Sequence, residues 1–70
     1  MAGGGQVAYE TETEMAVRHV AEQEERIGRQ EALIEHLREI GVPPEDALEL
    51  LDVMQDLLET MRAHVRRLSN

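Results

Sequence analysis

The sequence predicts an all-α protein, an antiparallel helical hairpin that dimerises into a four-helix bundle. Two long segments repeat apolar residues at helical spacing, and a Gly-Val-Pro-Pro turn at 41–44 separates them. The chain has only 70 residues and no cysteine, and chains this short seldom bury enough apolar surface without oligomerising. We therefore expect helices at about 11–40 and 44–68, in one domain of residues 11–70 that follows a disordered N-terminal tail at 1–10.

The first helix should begin at Thr11, because Thr11 and Glu14 have the spacing of a capping box. Its apolar face is uneven: in heptad letters, Val20, Ile27 and Ile34 occupy a, Ala16 and Leu37 occupy d, and Leu33 and Ile40 occupy g. Gln23 and Gln30 take the remaining d positions. Either these glutamines reach across to hydrogen-bond another helix, or they lie solvated at the bundle edge.

Three further features of the first helix are open to test. Gly28 costs roughly 1 kcal/mol relative to alanine and either marks a close helix approach or is simply tolerated. Carboxylates precede arginines by four residues, which favours surface ion pairs. The expected pairs are Glu14 with Arg18, Glu22 with Arg26, and Glu25 with Arg29.

The turn between the helices should be short. Gly41 suits the left-handed residue that follows a helix, and Pro44 suits the first turn of the next one. So brief a connection makes the helices antiparallel neighbours. Counting outward from the turn places Gln30 opposite Met54 and Gln23 opposite Met61.

The second helix has the most regular pattern, with apolar residues at a and d and a further column at g. A strict a/d stripe suits one partner helix, whereas the added g column indicates at least two neighbours. A two-fold pairing of hairpins would cover that width, although a heteromeric partner would satisfy the same physics. The expected dimer interface comprises Val20, Ile27, Ile34, Leu37, Leu50, Leu51, Met54, Leu57, Leu58, Met61, Val65 and Leu68.

Charge narrows the classes of partner. The formal net charge is −8, which disfavours nucleic acid and anionic membranes, since both need a basic face. No apolar run approaches the roughly 20 residues of a membrane span, and the N-terminus lacks the pattern of a secretory signal. We expect a cytoplasmic protein that binds a second copy of itself and, in addition, another protein.

Catalytic motifs are absent from the sequence: there is no cysteine, one serine near the C-terminus, and no glycine-rich phosphate loop. We expect no enzyme and no cofactor. His19 and His64 fall at g positions near each other, with Glu22 one turn from His19, so these three are candidate metal ligands. The favoured interpretation is that they make ordinary hydrogen bonds on the flank of the bundle.

The segments RHVAEQEERIGRQEALIEHLREIG and ALELLDVMQDLLETMRAHVRRL, which together cover most of residues 18–68, are similar to a group of short, uncharacterised bacterial helical hairpin proteins. The resemblance implies a dimeric helical hairpin without an assigned activity.

Two functional hypotheses follow. The leading one is a non-enzymatic, homodimeric interaction or scaffold module that acts through protein–protein contacts. The rival is a small regulator that binds a metal, a ligand or nucleic acid at the end of the bundle where His19 and His64 lie.

Overall fold

The computed structural model describes residues 10–70, which form two helices, α1 (Glu12–Glu39) and α2 (Glu45–Ser69). The helices pack against each other antiparallel: Gln30 of α1 contacts Ala47 near the start of α2, whereas Glu24, earlier in α1, pairs with Arg62, later in α2. The prediction of an all-α antiparallel hairpin is confirmed. Neither helix in residues 10–70 is long and apolar enough to cross a membrane.

The expected N-terminal tail comprises residues 1–10, of which residues 1–9 lie outside the described part of the chain and Glu10 lies within it. α1 begins with the predicted capping box. The Glu14 amide donates to the Thr11 hydroxyl at 3.0 Å, and the Thr11 amide donates to the Glu14 carboxylate at 2.9 Å. Two amide groups at the helix start, which lack partners inside the helix, are thereby satisfied.

α1 ends in a Schellman turn. Gly41 has φ = 78°, the left-handed conformation that glycine adopts most easily, and its amide donates to the carbonyl of Arg38. The next amide, that of Val42, donates to the carbonyl of Leu37 at 2.8 Å. These bonds satisfy carbonyl groups of the last turn and reverse the chain direction within a few residues.

α2 begins one position later than the sequence suggested. Pro44 is the N-cap residue rather than part of the first helical turn, and its carbonyl accepts from the Leu48 amide at 2.8 Å. No side chain caps this end. Glu45 and Asp46 place carboxylates in the first turn, where the helix dipole stabilises negative charge.

The core between the helices is narrow. Four apolar residues are buried, namely Ala16, Ile27, Ile34 and Leu58, and none of the side chains in residues 10–70 is fully enclosed. Two helices can cover only one stripe of each other, so most core positions remain half-buried.

The glutamines in the seam cross it. Gln23 is the only buried polar residue in the described chain, and its Nε2 donates to the carbonyl of Met54 at 2.9 Å. Nε2 of the half-buried Gln30 donates to the carbonyl of Ala47 at the same distance. Of the two interpretations, hydrogen bonding to another helix is therefore the one observed. Each acceptor lies one heptad nearer the turn than the residue expected opposite, Met61 for Gln23 and Met54 for Gln30.

The surface pairs of α1 follow the prediction in part. Arg29 pairs with Glu25 at 3.5 Å as expected. Glu14 instead takes part in the capping box, and Glu22 pairs with Arg18 at 3.0 Å rather than with Arg26. Exposed pairs of this kind are nearly equivalent in free energy, so sequence spacing does not decide which of them forms.

Gly28 does not mark a close approach of the helices within the hairpin. A Cβ atom at this position would meet no heavy atom within 4 Å, and the residue is exposed. The alternative, that the glycine is tolerated on an outer face, is the one observed.

Candidate functional site

One side of the hairpin, which we call the g face, carries residues at heptad positions g and c of both helices. Residues spaced alternately by three and four align along a helix, so each helix contributes one continuous ridge. The α1 ridge consists of Glu12, Met15, His19, Glu22, Arg26, Arg29, Leu33, His36 and Ile40. The α2 ridge consists of Asp46, Leu50, Val53, Leu57, Thr60, His64 and Arg67.

The turn-proximal half of the g face is apolar and open. Its large side chains remain between 44% and 63% exposed, and they are Leu33, Ile40, Leu50, Val53 and Leu57. Isolated exposed apolar residues are common on protein surfaces, whereas a contiguous group on neighbouring ridges marks an interaction surface. The apolar half of the g face is therefore the strongest candidate for a functional site.

The opposite side, the e face, carries residues at positions e and b and is mainly polar. Arg62 of α2 donates to Glu24 of α1 at 2.7 Å and also pairs with Glu59 at 3.8 Å. Val17 and Leu48 are exposed on this face, but they lie near opposite ends of the hairpin. The e face therefore lacks a contiguous apolar patch.

Charge is distributed unequally between the g face and the rest of the chain. The g face carries three arginines, all three histidines and three carboxylates, those of Glu12, Glu22 and Asp46, which gives a net charge of 0 with neutral histidine. The remaining four arginines and twelve carboxylates account for the whole net charge of −8. The g face is thus the one side of this acidic chain that does not repel another copy of the chain.

The open-end half of the g face contains a cavity of about 260 Å³, lined by Ala16, His19, Thr60, Met61, His64 and Arg67. The structure therefore brings His19 and His64 to the same place, as expected from their g positions. The Thr60 hydroxyl donates within its own helix to the Asp56 carbonyl at 3.3 Å. The two imidazoles and the Arg67 guanidinium are thus the polar groups that this cavity offers.

Glu22 does not join the two histidines. It is not among the residues that line the cavity, and its carboxylate accepts from Arg18 at 3.0 Å. Within residues 10–70, no three histidine or carboxylate side chains are arranged to hold a metal ion. The candidate set of His19, Glu22 and His64 is therefore not assembled as a three-ligand site.

A second cavity, of about 280 Å³, opens on the e face near the same end and is lined by Val17, Val20, Arg62, Val65 and Arg66. Its lining combines valines of both helices with two arginines of α2. It carries no carboxylate and no imidazole, so it offers no group suited to acid–base chemistry.

Ionic contacts at the start of α1 perturb two groups. The Arg18 guanidinium donates to both carboxylate oxygens of Glu10, with distances of 3.0 to 3.3 Å, and to Glu22 at 3.0 Å. The hydrogen bond from Arg18 lowers the pKa of Glu10, and the bond to Glu10, followed by that to Glu22, raises the pKa of Arg18. These shifts arise from ordinary ion pairing on the surface.

The structure divides the expected interface residues into two groups. Ten are buried or half-buried between α1 and α2, whereas Leu50 and Leu57 remain about half exposed. Whether any of the twelve contacts a second copy stays a prediction. The interface predicted from the sequence omits Leu33, Ile40 and Val53. Heptad spacing could have identified them, because Leu33 and Ile40 lie seven residues apart on α1 and Val53 lies between Leu50 and Leu57 on α2.

Comparisons of this chain with protein-family models, with curated protein sequences and with solved structures return no match.

Proposed function

We propose that this protein is a non-enzymatic interaction module that acts as a homodimer and forms a four-helix bundle through its g face. The observation that carries the proposal is the group of five large apolar side chains, each 44% to 63% exposed, on neighbouring ridges of the two helices. The cytoplasmic location expected from the sequence belongs to the same proposal, as does a further protein partner on the acidic outer surface.

The thin core supports this proposal. A hairpin with four buried apolar residues and no fully enclosed side chain in its described part has little hydrophobic stabilisation to offset the ordering of about 60 residues. A second layer of helices would bury the exposed leucines, and burying the exposed half of a leucine side chain contributes roughly 1 kcal/mol. Dimerisation thus supplies burial that the single hairpin lacks.

The distribution of charge also supports the g face as the surface of contact between two copies. Two copies of a chain with net charge −8 repel each other on most sides. Contact through the g face keeps the twelve other carboxylates away from the interface. The polar e face, with its Glu24–Arg62 ion pair, then stays in water, where such pairs cost little.

The experiment is a measurement of molar mass by sedimentation equilibrium, with helicity followed by circular dichroism. We expect a dimer at micromolar concentration, and we expect the double variant Leu50→Glu/Leu57→Glu to be monomeric or much less helical. Leu48→Glu is the matched control, because Leu48 is 40% exposed but lies on the e face. This control should remain a dimer.

A fully helical wild-type monomer at micromolar concentration would contradict the proposal. So would an unchanged dimer mass in the Leu50→Glu/Leu57→Glu variant, since the contact would then lie elsewhere.

The second candidate function is a small regulator that binds a ligand at the open end. The cavity that His19 and His64 line together favours it, because two imidazoles and the Arg67 guanidinium can bind a metal or an anion. Titration of the wild type and of His64→Ala with zinc and with a short RNA, followed by thermal unfolding, separates the candidates. A rise in melting temperature in the wild type alone supports ligand binding, and no rise with either probe excludes it.

A further inference from the structure

We propose that the two copies meet antiparallel, so that Leu33 and Leu50 of each copy close the histidine-lined cavity of the other and Asp46 lies beside Arg67 of the second copy. This inference rests on the proposed homodimer and specifies its geometry. The occupant of the cavity is then a second copy of this chain rather than a small molecule.

Two arrangements bring the g faces together with two-fold symmetry. In the parallel arrangement, both turns lie at the same end of the dimer, and α1 of one copy lies over α2 of the other. In the antiparallel arrangement, the turns lie at opposite ends, and each helix lies over its own equivalent. The distribution of residues along the ridges decides between the two.

Leu57 is the midpoint of α2 (Glu45–Ser69), and the g-face residues of α2 fall into pairs at similar distances on either side of it. Asp46 and Arg67 lie at nearly equal distances on either side of it, roughly 15 Å at a rise of about 1.5 Å per residue. Leu50 and His64 lie at equal distances as well, roughly 10 Å. In an antiparallel dimer the carboxylate of Asp46 therefore meets the guanidinium of Arg67, and Leu50 meets the cavity beside His64.

Residues of the α1 ridge also fall into pairs at similar distances on either side of the helix midpoint. The midpoint of Glu12–Glu39 falls between Glu25 and Arg26, and Glu22 and Arg29 lie at equal distances on either side of it. Leu33 and His19 also lie at similar distances, roughly 10 Å. Antiparallel contact therefore pairs Glu22 with Arg29 and places Leu33 against the cavity at His19.

Arg26 lies close to the two-fold axis and meets its equivalent there. Glu22 of both copies is within one turn of this position, and it lies between Arg26 and the Arg29 of the second copy. The two carboxylates therefore offset part of the positive charge near the axis.

The parallel arrangement has a less favourable charge pattern. It places His19 against His64 of the second copy, and it lays Arg26 and Arg29 over the apolar Leu57 and Val53 of the second copy. Covering guanidinium groups with apolar side chains removes water from the charge without supplying a carboxylate, which costs free energy. The apolar halves would meet in this arrangement, but the leucines are also covered in the antiparallel one, where they fill the cavities.

The test uses cysteine cross-linking, since the chain has no cysteine of its own. We expect Leu57→Cys to form a disulfide-linked dimer, because Leu57 meets its equivalent at the axis. We also expect an equimolar mixture of Asp46→Cys and Arg67→Cys to form mixed dimers with a short thiol-specific cross-linker. Leu33→Cys mixed with Leu50→Cys is the matched pair for the parallel arrangement and should not cross-link.

A charge exchange gives a second readout. Arg67→Asp should weaken dimerisation by roughly two- to thirtyfold, because two symmetric exposed ion pairs are lost, and adding Asp46→Arg should restore it. In a parallel dimer Asp46 and Arg67 lie at opposite ends, so adding Asp46→Arg would not restore association.

The outcomes separate the geometry from the proposed function. A dimer that cross-links at Leu33 and Leu50, or at none of these positions, overturns the antiparallel geometry but leaves the homodimer in place. A monomer in sedimentation overturns both.

Discussion

Gln23 donates a hydrogen bond from Nε2 to the main-chain carbonyl of Met54, 2.9 Å away in the opposite helix, while only 3% of the residue remains exposed. The carbonyl of a residue inside a helix already accepts one backbone bond, and its second lone pair is free to accept another. The contact therefore ties the two helices together without removing a helical hydrogen bond from α2.

Replacing Gln23 by alanine should lower the free energy of unfolding by about 1–2 kcal/mol, because the hydrogen bond and buried side-chain contacts are lost together. Chemical denaturation at a fixed protein concentration measures the effect. Gln55→Ala is the matched control, since Gln55 is exposed, and it should change stability by less than about 0.5 kcal/mol. Equal effects of the two substitutions would show that the Gln23 bond contributes nothing.

Gly28→Ala should stabilise the protein by about 1 kcal/mol. Alanine has the higher helix propensity, and a Cβ at this position meets open space. The residue lies at a b position, on the e face, so sedimentation should show an unchanged dimer. A loss of stability would indicate that this position is covered by a partner.

Gly41→Ala should act in the opposite direction, with a loss of about 1 kcal/mol. Here too a Cβ would meet no atom within 4 Å, so the cost arises from the left-handed backbone at φ = 78° rather than from a clash. Thermal unfolding of Gly28→Ala and Gly41→Ala beside the wild type compares the two effects directly. An unchanged melting temperature in Gly41→Ala would argue against the Schellman turn.

Thr11→Ala should destabilise the start of α1 by about 1 kcal/mol, since the Glu14 amide loses its acceptor. Hydrogen exchange at Glu14 and its neighbours should accelerate. Thr11→Ser retains the side-chain oxygen and serves as the control, and it should exchange at the wild-type rate. Acceleration in both variants would assign the effect to something other than the cap.

Acid should release the contact between Glu10 and Arg18. Because the pKa of Glu10 is lower in the folded chain than in the unfolded chain, its contribution to stability is present above the unfolded pKa. That contribution disappears as pH falls through the lowered, folded pKa. An NMR titration of the Glu10 carboxylate should show a higher pKa in Arg18→Gln than in the wild type; an equal pKa would exclude the contact.

The sequence was sufficient to predict the helices, the turn and the capping box, because these depend on local chemistry. Thr11 with Glu14, and Gly41 followed by two prolines, act over a few residues and are not changed by the rest of the fold. The start of α2 differed by one residue, since a proline is acceptable both at the N-cap and in the first turn.

The predictions that differed from the structure concern side-chain partners, where several ion pairs or hydrogen bonds have nearly equal free energies. Arg18 has carboxylates at several favourable distances, and spacing alone does not decide between Glu14 and Glu22. The glutamine acceptors differ by one heptad from those expected, because long amide side chains bind carbonyls that are not directly opposite. The apolar half of the g face needed the structure, which shows that Leu50 and Leu57 stay outside the hairpin core and that Val53, Leu33 and Ile40 extend the same surface.

The Schellman turn at Gly41 also has a kinetic consequence. It brings the adjoining ends of α1 and α2 together across only a few residues, so the chain entropy lost in closing this loop is small. We therefore expect contacts near the turn, such as that between Gln30 and Ala47, to form before those at the open end, where His19 and His64 lie. On this expectation, folding of the hairpin starts at its turn, and the open end is the last part to be ordered and the first to fray.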